Sequence, residues 1–270
     1  MNHIYTKNEL IAQLEALHIP RDRVVLMHSS LRLVGQVDGG AKTLLDALIE
    51  YFTATGGLFC VPTHTWANLG KEITLDVLDP KTCLGAFSDF AVSDGRGIRS
   101  ENPTHSMVVF GDRARAEAFV KDEINAPSGT APESCYGKIY RAGGYILLVG
   151  VSHARNTYLH CVDEMMGLPN RITDAPTEVR VKRADGQVVT RLVRTHHCSF
   201  TPDISARFPK YETAFRYHGA ITDGFLGDAP VQACDTVIAK QVMELIQSRA
   251  DKDPLSDEAA LPPLWYVNKS

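Results

Sequence analysis

The sequence predicts an α/β fold: a single domain with a central mixed, largely parallel sheet flanked by helices, plus a β-hairpin elaboration. Three observations carry this expectation. Short apolar runs at Arg23–His28, Leu58–Val61, Met107–Gly111 and Tyr145–Val151 read as buried strands. Segments with apolar residues at helical spacing separate several of them, which makes at least one βαβ unit with a right-handed crossover. Two alternating stretches, Glu178–Lys182 and Gln187–Val193, flank Asp185-Gly186, the signature of a hairpin closed by a type I′ turn.

In chain order, Leu10, Ile11, Leu14 and Leu17 mark a first helix over Thr6–Leu17, which Ile19-Pro20 ends. The strand Arg23–His28 and the loop Ser29–Asp38 lead to Gly39-Gly40. The helix Ala41–Phe52 follows, with Leu44, Leu45, Leu48, Ile49 and Phe52 on one face. Gly56-Gly57 stops it before the strand Leu58–Val61. Residues 66–102 are polar and irregular, too long for an ordinary connection, and are expected to cover or line a site. Asp112 can cap a helix over Arg113–Lys121. A loop rich in Gly, Pro and Ser, Ala126–Pro132, precedes a helical turn and the strand Tyr145–Val151. Residues 236–248 form an amphipathic helix, and residues 250–270 are expected to lie on the surface as an arm. No repeat or linker divides the chain, so residues 1–270 are read as one domain.

Composition narrows the function. Hydrophobic residues make up 44% and charged residues 22%, as in ordinary globular proteins. The 28 basic and 32 acidic residues give a net charge of −4 with no basic block, so nucleic acid is not expected as a partner. Six scattered cysteines form no C-x-x-C pair and no compact disulfide framework. No basic-then-apolar leader and no apolar run of membrane-spanning length are visible, so a cytoplasmic protein without a membrane partner is expected.

The most informative segment is His153–Glu164, where a strand ends at Gly150 and a helix begins near Thr157. His160 then lies in the first helical turn. Asp163 and Glu164 follow three and four residues on, over the same face, as a base and its orienting carboxylate would. Such a position, beyond a strand end, is where open α/β sheets place ligands. Asn156 or Thr157 serves equally as a plain N-cap. His28-Ser29-Ser30-Leu31, Pro62-Thr63-His64 and Asn102-Pro103-Thr104-His105-Ser106 put hydroxyls and imidazoles beside other strand ends, where they could bind a ligand or only satisfy turns. No histidine spacing matches a compact metal motif, although a zinc site built from separate loops stays open. Cys161 adjoins His160, but helical neighbours point about a quarter-turn apart, which favours a core thiol over a nucleophile.

Taken in order, these motifs resemble the aminoglycoside 3-N-acetyltransferase family of antibiotic acetyltransferases. The resemblance rests on His28–Leu31 with Val34-Gly35 and the Gly-Gly-Ala helix start, Pro62-Thr63, Asn102–Ser106, and Glu133-Ser134 with Gly137–Tyr140. It continues through Leu147–Val151, Asn156-Thr157 and Leu159-His160 to Gly224–Ala229. It implies acetyl-CoA as co-substrate, no metal, a cationic amine acceptor of the aminoglycoside class, and allows a homodimer. The family pattern has glutamate three residues after the histidine; this chain carries Asp163 there, with Glu164 next. On this resemblance His160 takes the acceptor's proton, Asp163 or Glu164 fixes its tautomer, and Thr157 or a backbone N–H meets the oxyanion. Ser29, Ser30, Leu31 and Gly35 would hold the pantetheine arm, with Thr104 and Ser106 across from them. Glu133, Asn156 and Asp203 would meet the acceptor, with Asp163 and Glu164 as further acidic candidates. The competing expectations are a metal-dependent hydrolase using a histidine-rich site, an N-acetyltransferase of a different amine, and a CoA- or nucleotide-binding module without turnover.

Overall fold

The computed structural model describes residues 3–268. The first half of the chain runs β1 (Ile4–Tyr5), α1 (Lys7–Glu15), β2 (Val24–Ser29), α2 (Leu31–Val34), β3 (Gln36–Val37), α3 (Gly40–Thr53), β4 (Leu58–Pro62), β5 (Leu75–Asp76), α4 (Ala86–Ser93), β6 (Ile98–Arg99) and β7 (Met107–Phe110). The second half runs α5 (Arg113–Val120), α6 (Cys135–Arg141), β8 (Tyr145–Val149), α7 (Tyr158–Met165), β9 (Thr177–Lys182), β10 (Val188–Val193), α8 (Glu212–Tyr217), β11 (Ile221–Leu226), β12 (Ala229–Asp235) and α9 (Thr236–Arg249). Caps fall where short polar side chains precede helices. Thr6 and Glu9 form a reciprocal capping box on α1, and Asp112 accepts from the Arg115 N–H at the start of α5.

Among the described residues seven strands form the central sheet, in the order β11-β12-β8-β2-β4-β7-β6. The sheet is mixed, as expected, but it is not largely parallel. Only β8–β2 and β2–β4 are parallel, and the other four pairings are antiparallel. The reason lies in the connections. Helix α3 carries the chain back to start β4 alongside β2, whereas the long stretch after β4 returns it as β7 in the opposite sense. The β11–β12 unit is a hairpin, and a hairpin can only reverse direction.

Successive residues of a strand face opposite sides, and here both sides are buried. Val24, Leu26, Leu58, Cys60, Met107, Val109, Ile146 and Leu148 join one core with α6, α7, α8 and α9. Val25, Met27, Phe59, Val61, Val108, Phe110, Leu147 and Val149 join the other with α1 and α3. This double burial is why the strands read as unbroken apolar runs.

Three details depart from expectation. The stretch 66–102 is not wholly irregular: it contains β5, α4 and β6. The hairpin β9–β10 exists, but its turn is not type I′, because Gly186 alone has positive φ (+85°) while Asp185 does not. Gly186 N–H donates to the Arg183 carbonyl and Arg183 N–H to the Gln187 carbonyl, so the loop includes Arg183 and Ala184 and ends in a glycine bulge. The hairpin also pairs through β9 with β5, which docks it on the 66–102 stretch. Finally, the expected C-terminal arm is not loose over 250–268, since Leu255, Leu261, Trp265 and Tyr266 are buried in the first core; its residues 269 and 270 lie outside the described residues. Among the described residues no helix is long and apolar enough to cross a membrane.

Candidate active site

A cavity of about 510 Å³ opens at the carboxyl ends of the parallel strands β2, β4 and β8. Strand β7 runs the other way, so its beginning lies at the same end. The wall is built from His28 near the end of β2, His64 and Trp66 after β4, and Thr104 and His105 before β7. Residues 154–157 follow β8, His160 comes from α7, Arg194–Cys198 follow the hairpin, and Pro202–Ser205 complete the rim. Strand alternation selects three of these rings. His28 shares a face with Val24 and Leu26, His64 with Leu58 and Cys60, and His105 with Met107 and Val109. The ladder continues past β4 and β7 through Thr63 N–H to the Ser106 carbonyl and Thr65 N–H to the Thr104 carbonyl, and between these His64 and His105 meet.

Four imidazoles form a continuous row. Ring centroids are 4.5 Å apart for His64–His105, 4.8 Å for His105–His196 and 3.8 Å for His196–His160, the last pair stacked at 15°. Burial holds all four well below their ordinary range, His196 at about 4, and the neighbouring rings reinforce this for His64, His105 and His160. All are therefore neutral near pH 7 and can accept protons. Their rings lie against one another rather than converging, and among the described residues no three His, Cys, Asp or Glu side chains are grouped to hold a metal ion.

The residues expected from sequence are divided between this cavity and other places. His160, 6% exposed, sits in the first turn of α7 with Nε2 2.9 Å from Ser205 Oγ. Neither expected carboxylate touches it. Asp163 Oδ2 accepts from Arg171 Nε at 2.9 Å, and the same guanidinium reaches Asp253 at 2.8 and 2.9 Å. Asp163 and Arg171 are fully buried, so Asp163 faces the interior, and burial raises its carboxyl against the pull of Arg171. Glu164 instead accepts from Ser128 Oγ at 2.6 Å and Thr130 Oγ1 at 2.6 Å. The helix rotation explains both: residues three and four beyond His160 flank its direction on either side, and their nearer donors capture them.

Thr157, Asn156, Thr104 and Asp203 line the cavity. Thr157 makes no side-chain cap bond to α7, while Asn156 Nδ2 lies 3.1 Å from His153 Nδ1. Just beyond His28 and outside the wall, Ser29 ends β2 and Ser30 and Leu31 open α2. Ser106 is also outside it: its hydroxyl donates to the Thr63 carbonyl at 2.7 Å and supports the strand ends. Gly35 has φ +84°, and any side chain there would run into the Asp228 carboxylate, so its place is a turn. Glu133 is exposed and away from the cavity. Cys161 is buried, its thiol pushed well up by burial, as a core residue.

Sequence reasoning missed the cooperation of His28, His64, His105 and His196, and it missed Gly129. A Cβ on Gly129 would strike the His105 ring and Thr104 Oγ1, so glycine lets the 126–130 loop close over that ring. The loop is pinned by the Arg194 N–H to the Pro127 carbonyl and by a bridge from Ser128 to Arg194. His196 is fixed by a bridge to Ile172.

A sequence profile of the aminoglycoside 3-N-acetyltransferase family matches residues 26–246. Aminoglycoside N(3)-acetyltransferase IV of a Salmonella species is 27% identical over 227 residues, covering 83% of this chain and 82% of that protein. The aminoglycoside N(3′)-acetyltransferase-like protein YokD of Bacillus subtilis is 25% identical over 181 residues, and the match spans 58% of this chain and 64% of YokD. Among solved structures, a mutant of aminoglycoside acetyltransferase AAC(3)-IVa in complex with a gentamicin superposes with a TM-score of 0.73 at 25% identity, covering 92% of this chain and 90% of that one. AAC-IIIb in a binary complex with CoASH has the same fold, with a TM-score of 0.75 at 21% identity over 93% of this chain and 100% of that one.

Proposed function

The chain belongs to the aminoglycoside 3-N-acetyltransferase family, and on that premise we propose that it transfers the acetyl group of acetyl-CoA to an amine of an aminoglycoside. The observation that carries the reading is a neutral His160 on the wall of a cavity at the sheet's carboxyl edge. An ammonium group must lose a proton before its nitrogen can attack a thioester, and a neutral imidazole within reach supplies the base. Ser205, rather than Asp163 or Glu164, is the partner that orients the His160 ring. Thr157, on the cavity wall beside His160, would donate its hydroxyl to the developing oxyanion.

The pantetheine arm would enter over Ser29, Ser30 and Leu31, where Ser30 makes no side-chain cap bond to α2, and pass Thr104 on the wall. Asp203 is a carboxylate of the cavity wall, which also carries the guanidinium groups of Arg155 and Arg194, and is assigned to an ammonium of the acceptor. Direct transfer is favoured over an acyl-cysteine route because Cys161 is buried with its thiol held protonated. The cytoplasm supplies acetyl-CoA and keeps thiols such as Cys83 and Cys198 reduced, which makes it the setting of this reaction.

The test is free-thiol release from acetyl-CoA with a panel of aminoglycosides. His160→Ala should reduce turnover by about two to four orders of magnitude, the span of a general base. Turnover near that of the parent protein would remove His160 from the role.

A further inference from the structure

Acetyl transfer to an ammonium acceptor forms one C–N bond, breaks one C–S bond and strips two protons from nitrogen. One proton ends in water and the other on the departing sulfur. A single base must empty itself between the two events, and the cavity holds a second imidazole stacked on His160.

That second ring, His196, has its tautomer set by its neighbours. Thr130 Oγ1 is 2.6 Å from Glu164 Oε1 and 2.8 Å from His196 Nε2. A hydroxyl has one hydrogen, and the carboxylate, which only accepts, takes it. The remaining lone pair of Thr130 Oγ1 must then receive a hydrogen from Nε2. His196 is held as the Nε2–H form, and among the described residues its protein hydrogen bond is made by Nε2, which leaves the Nδ1 lone pair free. Ser128 donates to the same carboxylate, so two hydroxyl donors favour its charged state although burial raises its pKa. The arrangement is a carboxylate, a hydroxyl and an imidazole in series, with the imidazole on the cavity wall.

We propose that His196 is a second catalytic residue of the acetyl transfer, with Thr130 and Glu164 as the positioning residues that fix its tautomer. His160 passes the ammonium proton to water. His196 Nδ1 takes the proton that nitrogen sheds as the C–N bond forms, and returns it from the same atom to the sulfur as the C–S bond breaks. The ring ends neutral, and the charge it carries between the two transfers is balanced through Thr130 by Glu164. Stacking at 3.8 Å disfavours two imidazolium rings at once, so the transfers occur in sequence. Nothing in the local sequence advertises this role, because Thr130, Glu164 and His196 come from three separate segments.

The inference rests on the acetyltransferase reading, and its test separates the two. Parent protein, His196→Gln, Thr130→Val and Thr130→Ser are compared for kcat, both KM values and thermal unfolding. Gln keeps an N–H donor toward Thr130 but has no basic nitrogen. His196→Gln should lose about 100-fold or more in kcat while either KM changes little. Thr130→Val should lose at least about tenfold in kcat, and Thr130→Ser should restore it. The ¹⁵N shifts of the His196 ring should report Nε2–H in the parent and a tautomer mixture in Thr130→Val, whether or not turnover is measured. No thiol release by the parent with any amine would sink the acetyltransferase reading and this inference with it. Parent turnover with an undiminished His196→Gln variant, or a His196 ring protonated at Nδ1, would overturn the inference alone.

Discussion

Replacing Asp163 by Asn separates a structural carboxylate from a catalytic one. Asp163 and Arg171 bury their charges completely, 0% and 2% exposed, and join through a 2.9 Å bond. Removing one member of a buried pair costs about 3–5 kcal/mol, mainly because the survivor keeps an unpaired charge in a medium of low dielectric. Here Arg171 still holds Asp253 through two bonds, so the lower end, about 3 kcal/mol, applies. For a domain of this size each kcal/mol is worth roughly 2–4 °C, so the melting temperature should fall by roughly 6–12 °C. Because Asp163 does not touch His160, kcat measured well below the transition should stay close to that of the parent. Calorimetry and thiol release on the same preparation decide the matter. An unchanged melting temperature with kcat down by about two orders of magnitude, the size of a lost base, would refute the argument.

Other outcomes follow from the same geometry. Gly129→Ala should lower kcat and destabilise by about 1–3 kcal/mol, the usual cost of overpacking, since the methyl must displace the His105 ring; equal melting and turnover would contradict the close approach. Asp203→Asn should raise KM for cationic acceptors while leaving kcat and the acetyl-CoA KM unchanged, because Asn still caps Ser205 N–H; an unaltered acceptor KM removes Asp203 from the acceptor site. Stability should fall as pH drops from about 6.5 toward 4. Burial holds His28 at about 3 and His153 at about 4, so the unfolded chain binds those protons first, at about 1.4 kcal/mol per pH unit for each ring. Glu123 and Asp163, both raised by burial to about 7, act in the opposite sense below about 7 and offset two rings, while His64, His105, His160 and His196 add to the loss. Denaturant midpoints at pH 7.5 and 5.5 check the sign, and a midpoint that rises at pH 5.5 contradicts it.

Much of the fold was legible because its signals are local. The runs Val24–His28, Leu58–Val61 and Tyr145–Val149 declare strands through length and apolarity, and α3 declares itself through Leu44, Leu45, Leu48 and Phe52. The direction of strands β7 and β12 was not legible, since parallel and antiparallel neighbours bury the same side chains. The turn at Asp185-Gly186 failed for a related reason: the dipeptide fits more than one hairpin, and the register of the flanking ladder, Lys182 against Val188, decides which.

At the active site the sequence by itself determined two things. It placed His160 in the first turn of a helix after a strand, and period-two alternation put His28, His64 and His105 on one face of the sheet, a pattern present in the chain although not extracted from it. What only the tertiary structure decided was who partners whom. Asp163 went to Arg171, Glu164 to Ser128 and Thr130, and His160 to Ser205 and the His196 ring, contacts made across 8 to 45 residues of chain. Helical spacing fixes the direction in which a carboxylate leaves its backbone. The hydrogen-bond donor waiting there belongs to another segment, and a buried charge must take whichever donor the packed chain supplies.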